Sequence, residues 1–206
     1  VNSGDIYLSK YKGWYSVSDE AYYTPDEIVE KNGVKKAIFS GSAVEWVEED
    51  SFFFKLSAWE KKLLEFYDKN KKFIIPITRR NEVINFVKGG LNDLSVSRTS
   101  FTWGIKVPEH NNHVIYVWLD ALTNYLSALN FPNTNDNKFK NFWPASLHVI
   151  GKDILRFHAV YWPAFLLAAN IEPPIRIFSH GWILSGDEKM SKSKGNILDP
   201  IEIAEH

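Results

Sequence analysis

Ser146-Leu147-His148-Val149-Ile150-Gly151-Lys152-Asp153-Ile154-Leu155-Arg156-Phe157-His158 is the stretch that decides the fold. An apolar run of strand length ends on a glycine, and a helical pattern starts at once with Asp153 at its head. A strand without polar alternation is one buried on both faces. The helix it leads into is long and amphipathic, running from Asp153 to about Ala169. Downstream, Ile175-Arg176-Ile177-Phe178 reads as another buried strand. Upstream, His113-Val114-Ile115-Tyr116-Val117-Trp118-Leu119 reads as a third, followed by a helix to about Leu129 and a polar linker rich in Asn and Lys. Strand–helix–strand–helix–strand predicts an α/β domain with a parallel, doubly wound sheet. Such sheets bind ligands outside the carboxyl ends of their strands.

The chain before residue 113 has a different character. Tyr7, Tyr11, Trp14, Tyr15 and Val17, interrupted by Gly13, suggest short antiparallel strands. Thr24-Pro25-Asp26-Glu27 has the form of a helix start. Val44 to Lys55 alternates like a strand, and Ser57-Ala58-Trp59-Glu60 opens a helix with a capping box. Asn81 to Lys88 reads as a short helix stopped by Gly89-Gly90. This first part is expected to be a mixed α+β module attached to the parallel sheet.

The 206 residues suffice for one or two domains, and 45% apolar with 15% aromatic residues is a globular composition. No apolar run approaches the roughly 18 residues of a membrane span, so no membrane contact is expected. No secretory signal is visible in Val1-Asn2-Ser3-Gly4-Asp5. There is no cysteine, which excludes disulfides and thiolate metal sites. A net charge of −1 excludes a uniformly basic nucleic-acid binder. The chain opens inside an apparent strand, Ile6-Tyr7-Leu8, and ends at Glu205-His206 as a helix begins. It therefore reads as an internal fragment.

Four features carry chemistry. In Lys189-Met190-Ser191-Lys192-Ser193-Lys194-Gly195, lysines offer mobile positive charge to phosphate oxygens, while serines and glycine let the backbone approach an anion. A plain basic loop is the alternative. Gly151 and Asp153 stand where an open parallel sheet binds nucleotides; Asp153 could instead cap its helix. Phe157, His158, Tyr161 and Trp162 form one aromatic stripe, and Trp118, Ala121, Leu122 and Tyr125 form a second. Each combines large rings with one polar group, His158 or Tyr125. That suits either a core or a shaped apolar pocket with orienting hydrogen bonds. His180-Gly181-Trp182-Ile183 follows a strand and could be a simple turn.

The phosphate loop equals the KMSKS signature of class I aminoacyl-tRNA synthetases. Tyr116-Val117-Trp118-Leu119-Asp120-Ala121 and the run from Gly151-Lys152-Asp153 to Trp162-Pro163 resemble the methionyl-tRNA synthetase family in particular. The resemblance covers almost the whole chain. It implies a connective insertion at 1–113, the second half of a Rossmann-type sheet at 114–180, and the phosphate loop with the start of a stem-contact module at 181–206. It implies a cytoplasmic, or organellar, ligase of protein biosynthesis that activates methionine with ATP and Mg2+ and transfers it to tRNA-Met. Lys192, assisted by Lys189, would stabilise charge on the phosphates, with Ser191 in the same loop. Gly151, Asp153, His180, Gly181 and Ile183 would hold ATP. Trp118, Ala121, Leu122, Tyr125, Phe157, His158 and Trp162 would line the methionine pocket. Methionine suits such rings because its thioether is polarizable.

Arg98, in Asp93-Leu94-Ser95-Val96-Ser97-Arg98, matches the family too and could contact substrate or form a buried ion pair. The family's HIGH motif lies in a first half of the nucleotide fold that this string does not contain, so that half is an expected partner. The anticodon-binding domain is likewise outside the chain. Many relatives carry a zinc knuckle of Cys-x-x-Cys type; here Ser16 and Asp19 take those places, so no zinc is expected and apolar and aromatic neighbours are expected to hold the knuckle. The competing readings are a non-catalytic fragment that binds its missing half or RNA, and another class I synthetase.

Overall fold

A computed structural model describes residues 3–19, 21–31, 33–100, 102–190 and 195–205. In chain order the first elements are strands β1 (Ile6–Ser16), β2 (Ala21–Tyr23), β3 (Ile28–Lys31), β4 (Val34–Ala37) and β5 (Glu45–Phe54). Helix α1 (Glu60–Lys69), β6 (Ile74–Ile75) and helix α2 (Ile77–Lys88) follow. Next come β7 (Leu94–Ser95), β8 (Ser97–Arg98), β9 (Lys106–Val107), β10 (His110–Ile115), α3 (Val117–Ser127) and α4 (Asn137–Phe142). The last part holds β11 (His148–Gly151), α5 (Trp162–Ala168), β12 (Ile177–His180), β13 (Leu184–Ser185), β14 (Glu188–Lys189) and α6 (Pro200–Glu205). Among the described residues no helix is long and apolar enough to cross a membrane.

These elements form two compact units that interleave in sequence. One comprises residues up to 58 with 92–124, the other 59–91 with residues from 125 onward. Compactness therefore divides the chain differently from the motif-based boundaries at 113 and 180.

The first unit is built on antiparallel pairing. A four-stranded sheet has the order β2-β1-β5-β7. β1 is one continuous strand that passes through Gly13, in register with β5 from Ile6↔Phe54 to Tyr15↔Glu45. The expected break at Gly13 is absent because this long pairing, with Tyr7 and Tyr11 both stacked on Phe53, outweighs one weak position. Thr24 and Glu27 do make the reciprocal contacts of a capping box, with Glu27 accepting from the Thr24 amide at 2.8 Å. The turn they start, Pro25–Glu27, is a single 3-10 turn, because β3 takes over at Ile28.

The knuckle has a polar tie that the sequence did not show. The Asp19 carboxylate accepts hydroxyl hydrogen bonds from Tyr23 at 2.7 Å, Ser40 at 2.6 Å and Ser42 at 2.7 Å. The Ser16 hydroxyl accepts from the Asp19 amide at 3.3 Å. Three hydroxyl donors hold the Asp19 carboxyl down to about 2. Hydroxyls and one fully engaged carboxylate do not make the tetrahedral nitrogen–sulfur set that structural zinc requires. This polar cluster, together with the buried Tyr15, Ala37 and Val44, ties the two ends of the knuckle together.

The second unit contains a three-stranded parallel sheet of order β11-β12-β6. His148 to Gly151 pair with Ile177 to His180, and Ile177–Phe178 pair with Ile74–Ile75. Two expected strands are thus present and parallel, but they are not buried on both faces: burial alternates along each, with Val149 63% and Phe178 38% exposed. The third expected strand is not in this sheet: β10 pairs antiparallel with β8 and β9, and helix α3 begins at Val117. The run His113–Leu119 is therefore a strand end joined to a first helical turn, two states that continuous apolarity does not separate. The third parallel strand is instead Ile74–Ile75, inside the stretch read as insertion. α1 and α2 flank it in sequence, and the core includes Leu63, Tyr67, Phe73, Val83 and Val87. Ser57 does not cap α1. Its amide and hydroxyl both donate to Asp93, and a 3-10 turn at Leu56–Trp59 leads into the helix.

Candidate functional site

β11 and β12 place two loops side by side. Gly151 ends β11 in register with His180, the last residue of β12. A Cβ on Gly151 would come within 2.5 Å of Asp153 Oδ1, so the glycine keeps space between strand end and carboxylate. Asp153 lies inside the 3-10 turn Lys152–Ile154 and does not cap it; its side chain is exposed. His180 Nδ1 donates to the Gly181 carbonyl at 2.7 Å, and nothing would obstruct a Cβ on Gly181 within 4 Å. Gly151, Asp153, His180 and Gly181 thus form an open polar rim at the carboxyl edge of the parallel strands, where nucleotides bind in such sheets.

Beyond the rim, β13 and β14 form a hairpin that turns at Gly186, whose φ of 63° suits glycine. Ile183 is exposed, and its carbonyl accepts from the Met190 amide at 2.9 Å. Lys189 ends the hairpin with its ammonium 3.3 Å from the centre of the Trp182 ring; the Lys152 ammonium is 4.8 Å from the same ring. Two cations are therefore gathered beside the rim. Ser191 and Lys192 lie outside the described residues.

The second cluster is aromatic. His158 is buried at 3% exposure. Its Nδ1 lies 3.0 Å from the Ile154 carbonyl, and its Nε2 lies 3.0 Å from the Tyr125 hydroxyl. A carbonyl only accepts, so Nδ1 carries the proton. Burial lowers the pKa, so the ring is neutral; Nε2 then accepts from the Tyr125 O–H. His148 also packs on Tyr125, with ring centres 4.2 Å apart and His158 6.2 Å away, and burial, with His158 nearby, pushes it down to about 4. Trp143 and Trp162 complete the cluster at 6.4 Å from His148 and 6.3 Å from Tyr125. His148 Nδ1 and Trp162 Nε1 are buried without a hydrogen-bond partner among the described residues. The result is a mostly buried aromatic cluster with a few uncharged polar atoms.

The other expected residues divide between the two units. Phe157 is half-buried and packs edge-on against Tyr161 at 5.5 Å. Trp118, Ala121 and Leu122 precede Tyr125 on α3 at helical spacing; Trp118 is half-buried, Ala121 exposed and Leu122 buried. Those three belong to the first unit, whereas Tyr125, Phe157, His158 and Trp162 belong to the second. Arg98 also belongs to the first unit. Its guanidinium donates to Ser95 Oγ at 2.6 Å and the Ser97 carbonyl at 2.7 Å, and stacks 4.4 Å from the centre of the Tyr116 ring.

Sequence reasoning passes over His148, Trp143 and Trp182. His148 gives no signal beyond its strand, since a histidine in an apolar run reads as core. Trp182 gives a weak one, an aromatic seven residues before Lys189, and only the fold brings Lys152 to the same ring. Among the described residues no group of three His, Asp or Glu side chains could hold a metal ion.

Comparison with known proteins gives one consistent picture. The sequence pattern described as "tRNA synthetases class I (M)" matches residues 32–206. The chain is 58% identical over 203 residues to the methionine–tRNA ligase of Mycobacterium tuberculosis, a match covering 98% of this chain and 39% of that protein. It is 60% identical over 205 residues to the methionine–tRNA ligase of Rickettsia bellii, again covering 39% of the relative. The crystal structure of M. tuberculosis methionyl-tRNA synthetase bound by methionyl-adenylate superposes with a TM-score of 0.86 at 57% identity, covering 99% of this chain and 40% of that one. The chain thus spans about two fifths of the length of these relatives.

Proposed function

The chain belongs to the class I tRNA synthetases of the methionine type, and from that premise we propose that it supplies the methionine side-chain subsite and the phosphate loop of a methionine–tRNA ligase. The observation that carries this reading is the neutral Tyr125–His158 pair set among Trp143, His148 and Trp162. An uncharged aromatic surface favours an uncharged, polarizable side chain and disfavours an acidic or basic one. Phe157 extends it, and Trp118, Ala121 and Leu122 are assigned to the same subsite by motif.

ATP is assigned to the rim of Gly151, Asp153, His180, Gly181 and Ile183. Gly151 leaves room for the nucleoside, and the Asp153 carboxylate is free to accept a ribose hydroxyl. Methionine's carboxylate attacks the α-phosphate, giving methionyl-adenylate and pyrophosphate. A ribose hydroxyl of the 3′-terminal adenosine of tRNA-Met then takes the methionyl group, and AMP leaves. Lys189 and Lys192, with Ser191, stabilise the negative charge that builds on the phosphates; the chemistry otherwise depends on positioning. Mg2+ would accompany ATP as a counter-ion to its phosphates. The described residues offer no cluster to hold it. In this reading the Ile74–Ile75 strand joins residues from within 114–180 in the second half of a Rossmann-type fold, the rest of 1–113 is the connective insertion, and 181–206 lead into the stem-contact module. The first half of that fold would be the partner that completes the ATP site. Arg98, already engaged by Ser95 and Ser97, is assigned a structural role.

Methionine-dependent exchange of pyrophosphate into ATP, measured on the full-length enzyme containing this chain, tests the reading. His158→Ala is expected to raise KM for methionine at least tenfold while KM for ATP stays within about twofold, the pattern of a lost side-chain contact. Unchanged KM for methionine would show that the subsite has been misplaced.

A further inference from the structure

Pro163 sits inside the helix that carries His158 and Trp162. Proline has no N–H, so the amide that would bond the Ala159 carbonyl in an α-helix does not exist, and the proline ring crowds that same carbonyl. The backbone just before it is widened. Phe157–Tyr161 is a π-helical turn, and the Trp162 amide reaches five residues back to the Phe157 carbonyl. Ala159 is completely buried, where a carbonyl lacking its helical donor is costly.

The missing donor comes from another helix. The Tyr67 hydroxyl, on α1, donates to the Ala159 carbonyl at 2.6 Å. Tyr67 is 1% exposed, and its ring stacks on Phe73. Burial pushes the phenol far up, so it remains a neutral donor at any working pH. A bulge of one residue rotates the helix faces on its two sides by about 100° relative to each other. His158 lies within the bulge, and Trp162 is the first residue after it.

We infer that Tyr67 is a positioning residue for the methionine subsite. Its hydroxyl satisfies the carbonyl that Pro163 leaves without a helical donor, and so holds the widened turn that sets His158 against Trp162 and Tyr125. The inference rests on assigning His158 and Trp162 to that subsite. Neither Tyr67 nor Pro163 touches substrate in this account.

Two variants of the full-length enzyme test it. Tyr67→Phe keeps the ring and removes the donor. It is expected to lower thermal stability and raise KM for methionine by about tenfold, the effect of one lost buried hydrogen bond, with KM for ATP within about twofold. Adding Pro163→Ala returns an amide at residue 163 and lets the turn relax to a regular α-helix. The double variant is expected to regain the lost stability but not the methionine affinity. Recovery of both together would mean that Tyr67 merely stabilises the helix, and an unchanged KM in Tyr67→Phe would also overturn the inference. Nitrogen NMR of the His158 ring separates this claim from the functional reading. A weakened Tyr125–His158 hydrogen bond in Tyr67→Phe supports the positioning role even if methionine is not the substrate. An unchanged His158 spectrum refutes it.

Discussion

Stability of the second unit is expected to fall between pH 6.5 and pH 4, and His148 is the main cause. In the unfolded chain this imidazole titrates near its ordinary value of 6.5; in the folded protein burial holds it to about 4. Between those values the unfolded chain binds the proton and the folded one does not. Folding is therefore fully favoured above pH 6.5 and weakens as pH drops toward 4. The difference corresponds to about 3 kcal/mol, a large share of the roughly 5–15 kcal/mol that a domain has. His158, lowered by the same burial, acts in the same direction. Asp136, the lowered carboxyl of the second unit, contributes little to this window, because the stability it adds is lost only as pH falls below its ordinary value of 3.8. The assay is urea unfolding at closely spaced pH values, on the wild type and on His148→Leu. Leu has a similar volume and no proton to take up, so the slope against pH is read and not the absolute stability. The wild type should lose about 3 kcal/mol across the window, and His148→Leu should lose much less. Equal slopes in the two proteins would refute the argument, because His148 would then be accessible to solvent or charged when folded.

Other expected outcomes rest on the same geometry. Asp19→Ala removes the acceptor for Tyr23, Ser40 and Ser42, so amide exchange should speed up across residues 16–42 and stay unchanged in the second unit. Because the Asp19 carboxyl is held to about 2, its contribution should persist above the usual carboxylate range and disappear only as pH falls toward 2, which exchange rates measured along an acid titration will show. Gly151→Ala sets a Cβ against the Asp153 carboxylate, and isothermal titration of the full-length enzyme should show ATP affinity falling roughly tenfold with methionine affinity retained, for a shift of about 1.4 kcal/mol. Lys189→Ala lies on an exposed hairpin, so unfolding should move by less than about 0.5 kcal/mol; the pyrophosphate exchange rate should drop by roughly a hundredfold if the lysine stabilises phosphate charge.

The legible parts of this protein are those with long, repeated signals. His148–Ile150 and Ile177–Phe178 are strands whose apolar runs have no helical alternative of adequate length, and they do pair in parallel. α2 ends at Gly89 as its sequence indicates. The failures have physical causes. Ile74–Ile75 is too short to show any period, yet it completes the parallel sheet because β12 needs a partner on that side. His113–Leu119 hides a change from strand to helix at Tyr116, since a continuous apolar run shows neither period, and Val117 in it is 59% exposed. The knuckle's polar tie is hidden because hydroxyls distant in sequence, Ser40 and Ser42, converge on Asp19, and serine carries no strong pattern of its own. At the site, the aromatic stripe on residues 157–162 is visible from spacing. Its widened turn is not, although Pro163 signals that the Ala159 carbonyl needs a donor from elsewhere.

The central claim is that this chain builds a site for the side chain of methionine. The most direct measurement is amino-acid-dependent pyrophosphate exchange by the full-length enzyme, with methionine, isoleucine, leucine and valine compared at equal concentration. The account predicts exchange with methionine at least a hundredfold above the others, a discrimination of about 2.7 kcal/mol, within reach of a shaped apolar pocket with a few fixed polar atoms. Exchange that is as fast with isoleucine or valine as with methionine would contradict it.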